Sequence, residues 1–378
     1  MNPLPNPQDL LRTARERTGL TAGIDAALDE ALGQLVRSID ADSALPASGR
    51  DAAAERLLRV LENRLRIHDD LQRHPDILAE PLLPPLVICG LPRVGSTKLH
   101  QLLAKTGDFQ SLLFWQGFNP ARRGGQLAET ERKADAVRFL EWRSRRNPLS
   151  DAAHYLAANE PEEDTYLLEY TLRTWWPVSY FEIPGFLRWV RLQDREPVFQ
   201  YVRKLLQYLQ WQFHRGGGRP WVLKSPPNLG YEAEIARHLP GARFVMLHRD
   251  PTEVVPSAVA IVRELRRLYG EGAGDLRKVG AWAMEEFGAA MERHLRWRSG
   301  QAPGSVLDVA YSQVRDDYEA VVANVYRFCG MELGDIARER MRTWAGDNEQ
   351  HKHGVHQYTL DEAGLSAVAI RRRFAAYL

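Results

Sequence analysis

The sequence predicts an α/β protein: a parallel sheet flanked by helices, preceded by a helical extension. Four short apolar runs, LVIC (86–89), WVLK (221–224), RFVML (243–247) and SVLDV (305–309), alternate with helix-length segments. Strands that alternate with helices make a parallel sheet covered on both faces. The first run passes through a glycine-bracketed loop into a helix, in LVICGLPRVGSTKLHQLLAKTG (86–107). Ahead of it, residues 7–77 carry helical periodicity and end at a proline-rich break, AEPLLPP (79–85).

Taken in order, Asn6-Pro7 is a helix start, a capping residue followed by proline in the first turn. Leu10, Leu11 and Ala14 share a face, as do Leu28, Leu32, Leu35, Val36 and Ile39, and then Leu57, Leu58, Leu61, Leu65 and Leu71. These helices carry no evident chemistry, and residues 1–80 read as an extension packed on the main domain. The α/β domain spans 81–350, with helical segments around 97–106, 160–172, 198–214, 229–238, 251–269, 275–298 and 311–329. Residues 351–378 form a tail expected to pack on or near the ligand site. The GGG at 216–218 is a local turn, and there is no internal repeat.

Composition narrows the function classes. With 50 Lys+Arg against 49 Asp+Glu the formal net charge is +1, so no bulk electrostatic footprint for nucleic acid exists, and only a local basic pocket remains open. Cys89 and Cys329 read as two buried thiols in a reducing compartment, and no zinc-type Cys/His spacing is present, so no metal is expected. The N-terminus lacks the apolar core of a signal peptide and no stretch approaches the ~20 apolar residues of a membrane span, which makes a cytoplasmic location the expectation.

The loop GLPRVGST holds Gly90, Arg93, Gly95, Ser96 and Thr97. Its glycines let main-chain N–H groups approach an anion, and the following helix aims its N-terminus at the same place. Gly90 and Gly95 have the separation of the P-loop pattern G-x-x-x-x-G-K-[ST], but Ser96 occupies the lysine position and the cation has moved to Arg93, with Lys98 after the hydroxyl pair. The fold is therefore P-loop-like, without the lysine that an ATPase uses on its β/γ-phosphates.

Downstream, WVLKSPPNLGYEAEIARHLPGARFVMLHRDPTEVVPSAVAIVREL (221–265) reads strand, helix, strand, helix. Asp250-Pro251 caps and opens the last helix. Arg249 ends the preceding strand and Ser257 lies eight residues further on, both within reach of one anionic group. Lys224 and Ser225 end the neighbouring strand at the same edge, where open α/β sheets bind ligands.

These motifs resemble those of the sulfotransferases that use 3′-phosphoadenosine 5′-phosphosulfate (PAPS), in a bacterial branch with GLPR-type loops. Arg93, Gly95, Ser96 and Thr97 match the family's 5′-phosphosulfate loop position by position. Arg249 and Ser257 match its 3′-phosphate motif, and Lys224 matches its lysine near the transferred sulfuryl group. DVAYSQVRDDYEAVVANVYRFCGMEL (308–333), TARERTGL near the start and HQYTLDEAGL near the end extend the likeness over most of 10–378. The resemblance implies PAPS as co-substrate, held by Gly90, Arg93, Gly95, Ser96, Thr97, Lys98, Arg249 and Ser257, with no metal. It implies sulfuryl transfer to a hydroxyl on a small or lipid-like acceptor, with Arg93 and Lys224 catalytic. The competing readings are a P-loop kinase-like phosphotransferase and a non-catalytic nucleotide-binding protein.

Two positions depart from the family pattern. Pro226 stands where familiar members have a histidine base, and Lys98 stands where many have a tryptophan against the adenine. The base is therefore sought in DAAHYLAANEPEEDTYLLEY (151–170), where Glu162 and Glu163 lead and His154 follows. Asn159 and Pro161 suggest a helix start there, whose first-turn acids would also serve the helix dipole. His100 is expected to pack or lie at the surface, and His248 to point away from Arg249's side of the strand. Tyr170, Trp175, Trp176, Tyr180, Phe181, Phe186 and Trp189 either line an apolar acceptor pocket or form core. In the tail, the histidines of HKHGVH (351–356) lack a metal-ligand pattern, and RRR (371–373) is a charged surface or a lid over the nucleotide. The amphipathic N-terminal helices are compatible with a homodimer.

Overall fold

The computed structural model describes residues 3–124, 128–272, 274–348 and 359–378. Three helices come first: α1 (Pro7–Thr18), α2 (Ala26–Asp42) and α3 (Ala47–Arg73). Strand β1 (Leu86–Cys89) leads into α4 (Ser96–Thr106), followed by α5 (Phe114–Phe118), α6 (Ala128–Arg146), α7 (Ser150–Ala153), α8 (Thr165–Glu169), α9 (Pro184–Arg191) and α10 (Glu196–Phe213). Then come β2 (Val222–Lys224), α11 (Glu232–His238), β3 (Arg243–His248), α12 (Pro251–Arg266) and α13 (Leu276–Ser299). The chain closes with β4 (Val306–Ala310), α14 (Tyr311–Asp316), α15 (Tyr318–Cys329), α16 (Asp335–Asp347) and α17 (Ala367–Arg373).

The four strands form one parallel sheet in the order β2-β1-β3-β4. Ile88 pairs with Lys224 on one side and Val245 on the other, so the carboxyl ends of β1, β2 and β3 finish at one edge. All four β1 residues and the middle four of β3 are buried, because helices cover both faces; this is why those strands read as unbroken apolar runs.

The helical extension shares the core of the α/β domain. One hydrophobic cluster runs from Leu4 to Phe374. From α3, Arg56 and Arg59 reach the buried Glu169 at 2.5 and 2.7 Å, and Arg59 also donates to the Tyr170 hydroxyl at 2.8 Å. Removing one arginine from such a group leaves a buried charge short of a partner. The same core takes up the aromatic segment: Tyr170, Trp175, Tyr180, Phe181 and Phe186 are buried in it, and Trp176 and Trp189 pack against it half-buried. Of the two expectations for these rings, core holds for most.

Two helical segments break where one was expected. The 160–172 stretch is helical only over Thr165–Glu169. Pro161 instead bridges Leu113 in antiparallel fashion, and the Glu162 N–H donates to the Leu112 carbonyl at 2.7 Å. Residues 162–164 are thus tethered chain ahead of a helix, not its first turn. The 311–329 stretch divides at Asp317, whose carboxylate caps α15 by accepting from the Ala320 N–H. No helix among the described residues is long and apolar enough to cross a membrane. HKHGVH lies outside the described residues.

Candidate active site

The loop between β1 and α4 turns through three positive-φ residues: Gly90 (148°), Arg93 (69°) and Gly95 (84°). A side chain on Gly90 would meet the Leu247 carbonyl oxygen at 3.0 Å and Val94 Cγ2 at 2.9 Å, so β3 itself excludes one. Gly95 is the N-cap of α4, and no side chain caps that helix. Its first N–H groups are left facing the loop, the arrangement that attracts an anion. Ser96 is buried and Thr97 exposed at this end.

The end of β3 lies alongside. Asp250 caps α12 by accepting from the Thr252 N–H at 2.8 Å. Arg249 lies across the Tyr311 ring, 4.2 Å from its centroid, and donates to the Arg93 carbonyl at 2.9 Å. Arg93 Nε in turn donates to Ser257 Oγ at 3.2 Å. Arg249 and Ser257, read from one motif, are therefore both joined to Arg93, read from the other. Lys98 reaches towards the Arg315 carbonyl at 3.4 Å and over Tyr318, 5.2 Å from the ring centroid, on α14 and α15. His248 is held between Asp308 and the tail's Tyr377 hydroxyl, each at 3.0 Å, on the β4 side of β3.

Lys224 ends β2 and is 4% exposed. It forms a buried ion pair with Glu163 and donates to Thr97 Oγ1 at 3.2 Å. The second Glu163 oxygen accepts from the Thr165 hydroxyl at 3.1 Å, and Thr165 bonds Ser225 Oγ at 2.7 Å. Glu162 faces His154, whose Nε2 lies 3.1 Å from Oε1. Burial works against the Glu162 charge, but His154 and Lys224 offset it, and the carboxyl stays below its ordinary range. Asp164 behaves oppositely. Burial pushes it up to about 6, although Asn228 donates to it at 2.8 Å. His100, expected at a packing or surface position, is buried beside this group, and burial together with Lys224 lowers it to about 4. Position 226, in the turn after Lys224, is proline and offers no base.

His154, Glu162 and Glu163 offer ligand atoms within 4.8 Å of one another. As a donor set this suits proton transfer better than a divalent ion, because the Lys224 ammonium already holds Glu163 and would oppose a second cation. Pattern reading passed over Thr165, Asn228 and Tyr311, and gave Ser225 only a place at the sheet edge. They are ordinary residues made relevant by contacts across the fold, and no local spacing marks them.

A positively framed anion loop, a lysine and a buried acid pair on one sheet edge call for comparison with known proteins. A model of the sulfotransferase family matches residues 84–335. The chain belongs to the sulfotransferase family. Its backbone is similar to the crystal structure of sulfotransferase STF9 from Mycobacterium avium, with a TM-score of 0.85 and 25% identity over 100% of this chain and 97% of that one. It is also similar to sulfotransferase STF1 from Mycobacterium tuberculosis, with a TM-score of 0.81 and 24% identity over all of both chains. In sequence it is similar to the omega-hydroxy-beta-dihydromenaquinone-9 sulfotransferase Stf3 of Mycobacterium bovis, 21% identical over 75% of this chain and 72% of that protein. The protein is thus an enzyme of the sulfuryl-transfer class, which sets the kinase-like reading of its loop aside.

Proposed function

We propose that this sulfotransferase moves the sulfuryl group of PAPS to a hydroxyl on a lipid-like acceptor, with Glu162 as the base. One observation carries the donor assignment: Arg249 and Ser257 both contact Arg93 of the glycine loop, so a 3′-phosphate site and a 5′-phosphosulfate site meet on one edge. The uncapped α4 N-terminus with Ser96 and Thr97 takes the 5′ end, and Arg249 with Ser257 takes the 3′-phosphate. Position 98 is then not needed for the phosphates. In transfer, charge grows on the bridging oxygen and the sulfuryl oxygens. Arg93 answers the first, and Lys224 with Thr97 the second. All of these groups are positioned before the reaction.

Glu163 is occupied on both oxygens, by Lys224 and by Thr165, and so serves to position Lys224. Glu162 is held ionised, with His154 orienting it, which leaves it the carboxylate suited to take the acceptor proton. The lipid-like acceptor is supported by the name of the Mycobacterium bovis relative, a menaquinone-type acceptor. It is supported also by the exposed Leu149 and Tyr155, which bracket His154 in the chain. The tail borders the donor side through Tyr377 on His248 and Arg371, 3.5 Å from Asp250.

Calorimetric titration tests the donor assignment. Adenosine 3′,5′-bisphosphate is expected to bind well above AMP and ATP·Mg²⁺. Arg249→Ala should cost the bisphosphate about 10- to 100-fold in affinity, the range of a charge-assisted hydrogen bond, and leave AMP unchanged. A preference for ATP·Mg²⁺, or equal binding of bisphosphate and AMP, would defeat the assignment.

A further inference from the structure

The guanidinium assigned to the 3′-phosphate already holds an anion. Arg249 Nε and its second terminal nitrogen donate to Glu253 Oε2 at 3.0 and 2.6 Å, while the first terminal nitrogen donates to the Arg93 carbonyl. All three nitrogens are therefore engaged. Glu253 stands four residues after Arg249 and four before Ser257, in the first turn of α12, where an acid is favoured by the helix N-terminus. An anion that touches both Arg249 and Ser257 must approach the side of α12 where this carboxylate now sits.

We infer that Glu253 is a built-in stand-in for the 3′-phosphate, holding Arg249 in register until the donor arrives and then giving way. Three features fit this role. Arg249 is fixed on its other sides by the Tyr311 ring and the Arg93 carbonyl, so it need not move when its anion changes. The Glu253 side chain is 56% exposed against 19% for Arg249, so the carboxylate swings into water at little desolvation cost. Arg315, which is paired with Asp316 at 2.6 and 2.8 Å, also lies within the electrostatic reach of Glu253 and lends the displaced carboxylate a further positive neighbour. The exchange sets one acid against a more highly charged phosphate, so it favours donor binding, yet it subtracts from donor and product affinity alike. Glu253 thereby sets how tightly the spent nucleotide is held.

The inference rests on the PAPS reading, and the test separates the two. Glu253→Gln and Glu253→Ala are titrated with adenosine 3′,5′-bisphosphate and with AMP, beside the unchanged protein. Removing an exposed ion pair that competes with the ligand is expected to tighten the bisphosphate about fivefold and leave AMP unchanged. Unchanged or weaker bisphosphate binding in both variants, with the unchanged protein still preferring bisphosphate to AMP, would overturn the stand-in role alone; Glu253 would then be a plain brace for Arg249. An equal gain for AMP would overturn it as a general charge effect. No preference for bisphosphate in the unchanged protein would overturn the donor reading and this inference with it.

Discussion

At the edge proposed to hold the donor, the groups assigned to it are backbone N–H groups and part-exposed cations, with Arg249 19% exposed and its anion partner Glu253 56% exposed. Across the site, Lys224, Glu162 and Glu163 are 4%, 7% and 8% exposed; Lys224 and Glu163 hold each other, and Glu162 lies against His154. The donor edge is held by backbone geometry: positive-φ glycines, an uncapped helix and the ends of strands. The acid side is held by side chains on one another. A charge lost from the first should weaken binding and spare the fold. A charge lost from the second strands a partner in a place water does not reach, so chemistry and stability fall together.

The sharpest way to break that contrast is Lys224→Met. Turnover with PAPS is expected to fall by about 10³-fold through loss of transition-state charge stabilisation. The unpaired Glu163 should cost about 3–5 kcal/mol in chemical denaturation. Adding Glu163→Gln should recover most of the stability and none of the activity. If the single variant is fully stable, the pair is not the structural unit that the contacts indicate.

Next is the base. Glu162→Gln should lower kcat by about 10²–10³-fold and leave bisphosphate affinity unchanged. Because the folded carboxyl lies below its ordinary range, its ionised form is present above the unfolded value and is lost only as pH falls through the lowered one. The acidic limb of kcat/KM is therefore expected below ~4.3, the unperturbed glutamate value. A limb near ~6.5 would move the role to an imidazole.

The smallest effect concerns Asp164, where the sign reverses. Its folded value is raised to about 6, so the buried acid favours its protonated form, and the penalty for ionising it grows as pH rises towards and through 6. Asp164→Asn, which keeps the Asn228 contact geometry, should stabilise the protein by about 1–3 kcal/mol at pH 8 and hardly at all at pH 4, read from denaturation midpoints at the two pH values.

Much of the sheet was legible because its central strands are buried on both faces, which forces apolar runs that need no partner to be read. The loop was legible for a similar reason: Gly90 and Gly95 answer a local backbone requirement, and Arg249 with Ser257 keep fixed places at one strand end and one helix face. The acid segment was not readable in the same way. Proline and acids at 161–164 spell a helix start, but Leu112 and Leu113 draw the chain into a bridge, and the helix waits until Thr165. Likewise the aromatics of 173–190 have the composition of a pocket wall, and only their packing against the common core decided otherwise.

The sequence by itself determined the parallel sheet, the anion loop, the family likeness and a short list of acids, because these depend on local backbone demands and on residues at fixed spacing. Tertiary structure alone decided that Glu163 belongs to Lys224 and Glu162 to His154, that Lys98 reaches Arg315 and Tyr318, and that Arg249 is held by Glu253. Which charge neutralises which is set by burial and distance between elements far apart in the chain, and neither quantity is written in the spacing of residues.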